Sequence, residues 1–367
     1  MTSHSRRNLL KLALFAGTAP LLGGIARQAF AADRPYAPAA SDWRRFETRT
    51  LIELPQGEGQ AQVWLPVPSL STDYQRSLDD SWSGNATAAE IVTDPASGAK
   101  YLHATFEGGG APRIELVSRI ETRNRTIDWN RTSDATEDPA VLKAALQPSG
   151  YKPLDGIVAE TAGKITAGAQ TDVDKVRAIY AWIVSNCYRN MDTPGCGPGD
   201  NVATLTTAGL GGKCADLNGL FVGLARASGV PARDVFGVRV APSAFGYKQL
   251  GANSEKITGA QHCRAEVWLS GYGWVAMDPA DVLKVMRAET ETWIKDPKDP
   301  LVNQVNAALF GNWEGNWVAY NTAEDLQLSG RAGKLPFLMY PQASIGERVI
   351  DELDAKSFTY EITAAEV

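Results

Sequence analysis

The sequence predicts an α+β protein with a β-rich first half, a helical middle and a β-hairpin that follows it. Three observations carry this reading. Apolar and polar residues alternate in several runs before residue 125. After about residue 137 the apolar spacing changes to three- and four-residue steps. Between residues 261 and 282 two alternating runs flank Gly271-Tyr272-Gly273.

Residues 1–31 stand apart from the rest. Ser5-Arg6-Arg7-Asn8-Leu9-Leu10-Lys11 precedes a moderately apolar stretch from Leu12 to Ala26, and Ala29-Phe30-Ala31 has the small-x-small form of a signal-peptidase site. This is the form of a twin-arginine export signal, cleaved near Ala31, and it predicts a periplasmic protein. Pro20 and glycines break the apolar stretch, which is shorter than the roughly 20 residues of a membrane-spanning helix. No membrane insertion is expected after cleavage, and no cysteine stands at or before the cut to carry a lipid. Removing 1–31 takes away four basic residues and no acidic ones, so the formal net charge moves from −6 to −10. An acidic chain without a basic run argues against nucleic acid or an anionic membrane as partner. The remaining length suits two domains, and 44% apolar residues are enough for real cores. There is no internal repeat or low-complexity segment.

The runs "GQAQVWLPVP" (59–68), "KYLHATFE" (100–107) and "RIELVSRIETR" (113–123) read as strands. Leu102, Ala104 and Phe106 share one face, and so do Ile114, Leu116 and Ile120. With turn clusters between them, residues 41–136 are expected to form an antiparallel sandwich-like domain. It carries no visible chemistry. His103 lies mid-strand without an acidic or thiol neighbour in sequence and reads as structural.

Helical spacing begins in "TDVDKVRAIYAWIVSNCYRN", where Thr171 and Asp172 are candidate caps and Val173, Val176, Ile179, Tyr180 and Ile183 form the stripe. A Pro- and Gly-rich loop follows. The second helix lies in "GGKCADLNGLFVGLARASGVPAR" (211–233): Leu217, Leu220, Phe221 and Leu224 face one way, Gly229 is placed to terminate it, and Pro231 prevents a restart. Cys214 falls in its first turn, where unpaired N–H groups and the helix dipole favour a thiolate. Gly211 and Gly212 let the chain turn sharply and let another backbone, such as a substrate's, come close. The position suits a nucleophile; the alternative is a small apolar residue packed beneath a loop.

A thiol nucleophile needs a base, and beyond residue 31 the histidines are His103 and His262. In the hairpin "HCRAEVWLS" and "GWVAMD", His262, Arg264, Glu266 and Trp268 share a face, and a turn near Tyr272 brings Asp278 opposite or nearly opposite His262. A carboxylate there can fix the imidazole tautomer and stabilise the imidazolium. Glu266 and Asp281 compete for that role, but Glu266 lies four residues along the same strand, about 13 Å away at strand rise.

Together "GGKCADLNGLFVGLARASGVPAR", "HCRAEVWL" and "GWVAMDPADV" resemble the transglutaminase-like superfamily, whose core is that of the papain-like cysteine hydrolases. The family's order of Cys on a helix amino terminus, His on one strand and Asp on the next is matched by Cys214, His262 and Asp278. The resemblance covers roughly residues 140–285. The usual His-Ala-Trp is replaced by His262-Cys263-Arg264, which bears on substrate preference more than on the triad. The resemblance implies a core over 137–285 in which the nucleophile helix packs on an antiparallel sheet. It also implies acyl transfer from peptide or glutamine-type amides through a thioester, completed by water or an amine, with the Cys214 N–H as an oxyanion donor. No cofactor or metal is implied; the partner is a peptide or protein substrate, and the oligomeric state stays open.

Two other readings are weighed against this one. A zinc site from Cys187, Cys196, Cys214, Cys263 and His262 lacks the two-to-four-residue spacing of structural zinc knuckles. A non-catalytic peptide- or glycan-binding module would not need all three triad positions filled. In an oxidising compartment Cys187 and Cys196 are candidates for a disulfide, with Cys263 buried on the face opposite His262. Residues 286–367 are expected to extend over the core. Within them Trp313, Trp317 and Tyr320 could line one side of a helix, as core or as a cleft wall, while "LPFLMYPQAS" and "KSFTYEITAAEV" read as strands.

Overall fold

Alternation in the first half produces the strands it predicts. The computed structural model describes residues 35–367 apart from Glu58 and Gly109, so the export-signal reading of 1–31 lies outside the described residues. Six strands come first: β1 (Arg44–Glu53), β2 (Ala61–Val67), β3 (Gln75–Gly84), β4 (Ala88–Thr93), β5 (Lys100–Phe106) and β6 (Arg113–Thr122). Leu102, Ala104 and Phe106 are buried together with Ile114 and Leu116, while Ile120, also buried, joins a separate core. The alternation is thus one between a packed face and a wet one.

Helices follow: α1 (Pro139–Ala144), α2 (Gly156–Thr166) and α3 (Asp172–Asn186). Thr171 caps α3, its hydroxyl accepting from the Asp174 N–H at 3.1 Å while the Asp174 carboxylate accepts from the Thr171 N–H at 3.0 Å. Next come the short β7 (Tyr188–Arg189), α4 (Asn201–Leu205), β8 (Gly211–Gly212) and then α5 (Cys214–Ala227). Gly229, at φ 81°, ends α5 in the left-handed conformation that a side chain would oppose.

The chain then forms β9 (Ala232–Arg239), the hairpin β10 (Gln261–Leu269) and β11 (Gly273–Met277), and the helices α6 (Pro279–Ala288) and α7 (Pro300–Ala308). Seven strands complete it: β12 (Phe310–Gly311), β13 (Trp317–Asn321), β14 (Glu324–Leu326), β15 (Leu335–Phe337), β16 (Gln342–Ile345), β17 (Arg348–Ile350) and β18 (Thr359–Glu366).

These strands build an antiparallel central sheet in the order β12-β11-β10-β9-β13, with α5 packed on it. Leu217, Leu220, Phe221 and Leu224 of α5 share one apolar core with Val235, Cys263, Ala265 and Val267 of the sheet. Two further sheets, β18-β1-β6-β3 and β17-β16-β2-β5-β4, enclose a second core of Leu65, Leu102, Ile114 and Leu116 among others. His103 belongs to this β-rich region, stacked on Trp64 and hydrogen-bonded to Gln62 at 2.9 Å.

Residues 286–367, read from the sequence as one extension over the core, divide among these sheets. β12 and β13 complete the central sheet, while β16 pairs with β2 and β18 pairs with β1 from Phe46↔Glu366 to Glu53↔Thr359. Residues 36–367 form one compact unit in which sandwich strands come from both ends of the chain. The helical reading of Trp313 to Tyr320 is corrected in the same region, since Trp317–Asn321 is strand β13 on β9. All five of its residues are buried, and a strand covered on both faces loses the alternation that marks a strand in sequence. Trp313, Trp317 and Tyr320 are core residues. No helix among the described residues is long and apolar enough to cross a membrane.

Candidate active site

Cys214 is the first residue of α5, and its N–H has no acceptor among the described residues. The start of that helix is held by Asp216, which accepts from the Lys213 N–H at 2.9 Å and from the Gly199 N–H at 3.0 Å. The Ala215 N–H donates to the Cys196 carbonyl at 2.9 Å, tying the Pro- and Gly-rich loop to the same turn. This changes the reason for the two glycines. A Cβ on Gly212 would overlap the Asp216 side chain, and one on Gly211 would overlap the Tyr188 ring, so the room they leave is filled from within the protein.

The hairpin register pairs Ala265 with Met277, which puts Asp278 level with Arg264 and diagonal to His262. The side chains close the difference: His262 Nε2 lies 2.7 Å from Asp278 Oδ2. With Nε2 taken, Nδ1 is the ring nitrogen left to exchange a proton with the sulfur. Asp278 is also the N-cap of α6, its Oδ1 accepting from the Asp281 N–H at 3.1 Å and from Asn218 Nδ2 at 3.0 Å. Asn218 in turn donates to the Cys263 carbonyl at 2.9 Å and accepts from the Ala280 N–H at 3.1 Å. Its place one helical turn after Cys214 was a signal available in the sequence, because residues four apart on a helix share a face.

Of the competing carboxylates, Glu266 sits in a separate cluster with Arg125, Arg233 and Tyr74. Asp281 lies closer, 3.5 Å from His262 Nε2, but Arg239 grips it with two bonds of 2.6 and 2.8 Å. Behind the histidine, Trp317 donates its indole N–H to the His262 carbonyl at 2.9 Å. Arg264 lies over the Trp317 and Trp313 rings at 4.7 and 5.1 Å, with its Nε 3.6 Å from Asp278. The aromatic segment therefore braces this constellation from inside the core.

All four cysteines are free, so the Cys187–Cys196 pairing expected for an oxidising compartment is corrected. Cys196 is buried, its thiol donating to the Gln261 carbonyl at 3.4 Å, and both it and Cys263 are close enough to Cys214 to act on its ionisation. Cys263 is fully buried in the core that α5 shares with the central sheet. The neighbouring thiols of Cys196 and Cys263, by donating to sulfur, hold the Cys214 thiol well below its ordinary range; burial opposes this and His262 adds to it. For His262, burial and Arg239 lower the imidazole pKa, but Asp281 and Asp278 outweigh them and leave it raised. A lowered thiol beside a raised imidazole favours the thiolate–imidazolium pair near neutral pH.

Among the described residues, the group with metal-ligand atoms all within 4.8 Å of one another is His262, Asp278 and Asp281, and the thiols do not close into such a group. Arg239 and Arg264 already neutralise those carboxylates, and Asn218 takes Oδ1 of Asp278. A bound cation would have to displace them.

A distinct prediction follows from the ionisation of Cys214. Its reaction with iodoacetamide is expected well below pH 8, rising as pH passes through the depressed thiol pKa, and His262→Ala moves that rise to higher pH. Cys187, pushed up to about 12 by burial, stays slow. So does Cys263, raised by burial and by Cys214, and so does Cys196, raised first by its bond to Cys214. Alkylation rate against pH with peptide mapping checks this. Labelling of Cys214 no faster than Cys263 at about pH 6.5 would return Cys214 to the role of a packing residue.

The comparisons with known proteins bear on the same segment. Residues 159–279 match the model of the transglutaminase-like superfamily. An uncharacterized protein of Haemophilus influenzae is 34% identical over 328 residues, covering 84% of this chain and 88% of that one. The crystal structure of a candidate cysteine protease from Cytophaga hutchinsonii aligns with a TM-score of 0.56 at 18% identity, over 90% of this chain and 92% of that one. The periplasmic domain of TgpA from Pseudomonas aeruginosa aligns at 0.38 and 16% identity, over 71% and 94%. With the fold of the papain-like thiol enzymes, a helix-borne cysteine against an antiparallel sheet, this chain belongs to the transglutaminase-like superfamily.

Proposed function

We propose that the protein is an exported, periplasmic thiol enzyme that transfers acyl groups from peptide or glutamine-type amides through a thioester on Cys214. The observation that carries this reading is the arrangement of Cys214 at the start of α5, beside an imidazole whose far nitrogen is held by Asp278 at 2.7 Å. In the ion pair the Sγ proton already rests on His262 Nδ1, so the thiolate attacks the carbonyl carbon directly and the C=O electron pair moves onto oxygen. The Cys214 N–H, which has no acceptor among the described residues, donates to that oxyanion. The pair then returns, the C–N bond breaks, and His262 gives the proton to the leaving amine. Water or a second amine, deprotonated by His262, attacks the thioester and releases the thiolate. Asp278 orients the ring and stabilises its cation, with Asn218 as a positioning residue behind it.

The test is to trap the thioester. The wild-type protein is mixed with a panel of glutamine-, asparagine- and wall-peptide amides and quenched in acid, and the adduct mass is measured. The expected result is an acyl adduct that maps to Cys214 and is absent in Cys214→Ala. Added primary amine that shortens its lifetime and appears in the product identifies transfer; a product with water alone identifies hydrolysis. A panel turned over with no adduct, and equally well by Cys214→Ala, would overturn the proposal.

A further inference from the structure

Charge is distributed unevenly in this chain. The whole is acidic, with formal net charge −6, yet the cavity of about 740 Å³ in front of Cys214 and His262 is lined by Arg189, Lys213, Arg239, Lys248, Lys256 and Lys284. Glu352 is the one carboxylate among its described lining residues. Two of the cations are neutralised, Arg239 by Asp281 and Lys256 by Glu361. The other four have no carboxylate partner among the described residues. The Arg189 Nε is buried without an acceptor, and Lys284 Nζ reaches only the Gln249 carbonyl, at 2.8 Å. Lys213 directly precedes the nucleophile and Lys248 is exposed at the rim.

A thiolate–imidazolium pair is neutral as a unit, so it does not answer this excess. Cations gathered on the wall of a cleft act together, because low-dielectric walls focus their field into the space between them. We propose that the cleft selects acyl donors carrying carboxylates beside the amide that Cys214 attacks, a specificity that rests on Cys214 being the nucleophile. The cations come from segments far apart in sequence, between β7 and α6, and converge only in the folded cleft. A peptide of acidic side chains, or one whose terminal carboxylate lies near the scissile amide, gains ion pairs there; a lysine-rich peptide is repelled.

Two measurements test this. In the first, Cys214→Ala protein binds three peptides of equal length: acidic with an amidated end, neutral with a free carboxyl end, and basic with an amidated end. Both carboxylate-bearing peptides are expected to bind roughly tenfold or more tighter than the basic one, with the gap closing as salt is raised from about 0.01 M to about 1 M. Preference for the first over the second assigns side-chain carboxylates; the reverse assigns the terminus. Equal binding of all three overturns the proposal.

The second measurement uses otherwise wild-type protein and compares alkylation of Cys214 by iodoacetate and by the neutral iodoacetamide. The imidazolium alone favours the anion, so the reading is the change in rate ratio when His262 is kept. Arg189→Gln with Lys248→Gln is expected to lower the ratio roughly three- to tenfold, whereas Lys100→Gln, outside the cleft, leaves it alone. Should the Arg189 variant fail to fold, Lys213→Gln with Lys248→Gln serves the same purpose. An unmoved ratio with brisk iodoacetamide labelling overturns the specificity alone. No labelling by either reagent overturns the nucleophile beneath it.

Discussion

Cys214→Ala and His262→Ala are each expected to lower turnover by on the order of 10⁴-fold or more on any substrate the wild type uses, since neither bond making nor proton transfer has a substitute in the site. The double variant should be no worse than either single one. Residues acting as a unit lose their joint contribution when the first is removed. Asp278→Asn should cost less, about 10²- to 10⁴-fold, because nucleophile and base remain. Asparagine can keep the cap on α6 through its carbonyl oxygen, so folding is retained while the group facing Nε2 changes from acceptor to donor. That turns the ring to the tautomer with Nδ1 protonated, which cannot receive the thiol proton. The measurement is kcat and kcat/KM for the four variants on one substrate found by thioester trapping. Full activity in Cys214→Ala or His262→Ala would contradict the mechanism, and losses that multiply in the double variant would show that the two side chains do not work as one.

The features read correctly from the sequence were those set by neighbours a few residues apart. Cys214 at a helix start follows from Gly-Gly-Lys before it and the stripe after it, and the approach of His262 to Asp278 follows from a hairpin with a short turn. Even there, register places Asp278 level with Arg264, and the last few ångströms are covered by side-chain reach. What was not legible depends on distant pairing. Nothing local says that Thr359–Glu366 returns to β1, or that Arg189, Lys248 and Lys284 face one cavity. The strand around Trp317 was hidden because burial on both faces erases alternation. The disulfide expectation rested on loop spacing between Cys187 and Cys196, while in the fold the Cys196 thiol is buried and donates to the Gln261 carbonyl at 3.4 Å.

Glu266 gives the largest expected effect on stability, and it lies outside the site. Its side chain is fully buried, accepts from the Tyr74 hydroxyl at 3.1 Å and from Arg233 at 2.6 Å, and pairs with the buried Arg125. Arg125 follows β6 and also donates to the Trp274 carbonyl, and its backbone bridges to Trp313, so the cluster joins the sandwich region to the central sheet. Removing the carboxylate in Glu266→Gln leaves Arg125 with an uncompensated charge out of water, a loss of about 3 to 5 kcal/mol. For a folded unit of this size that is a fall in melting temperature of roughly 4 to 7 °C. Burial alone would raise the Glu266 pKa, but Arg233 and Arg125 outweigh it and hold it at about 2. Because the folded pKa lies below the ordinary value of about 4.3, the stabilisation is fully present above that value and is lost as pH falls through about 2. Denaturation midpoints of wild type and Glu266→Gln should therefore stand well apart at neutral pH and converge between about pH 4.5 and 2. A gap that stays constant on acidification would mean that glutamine costs stability through packing, and that the charge of Glu266 does not hold the two sheets together.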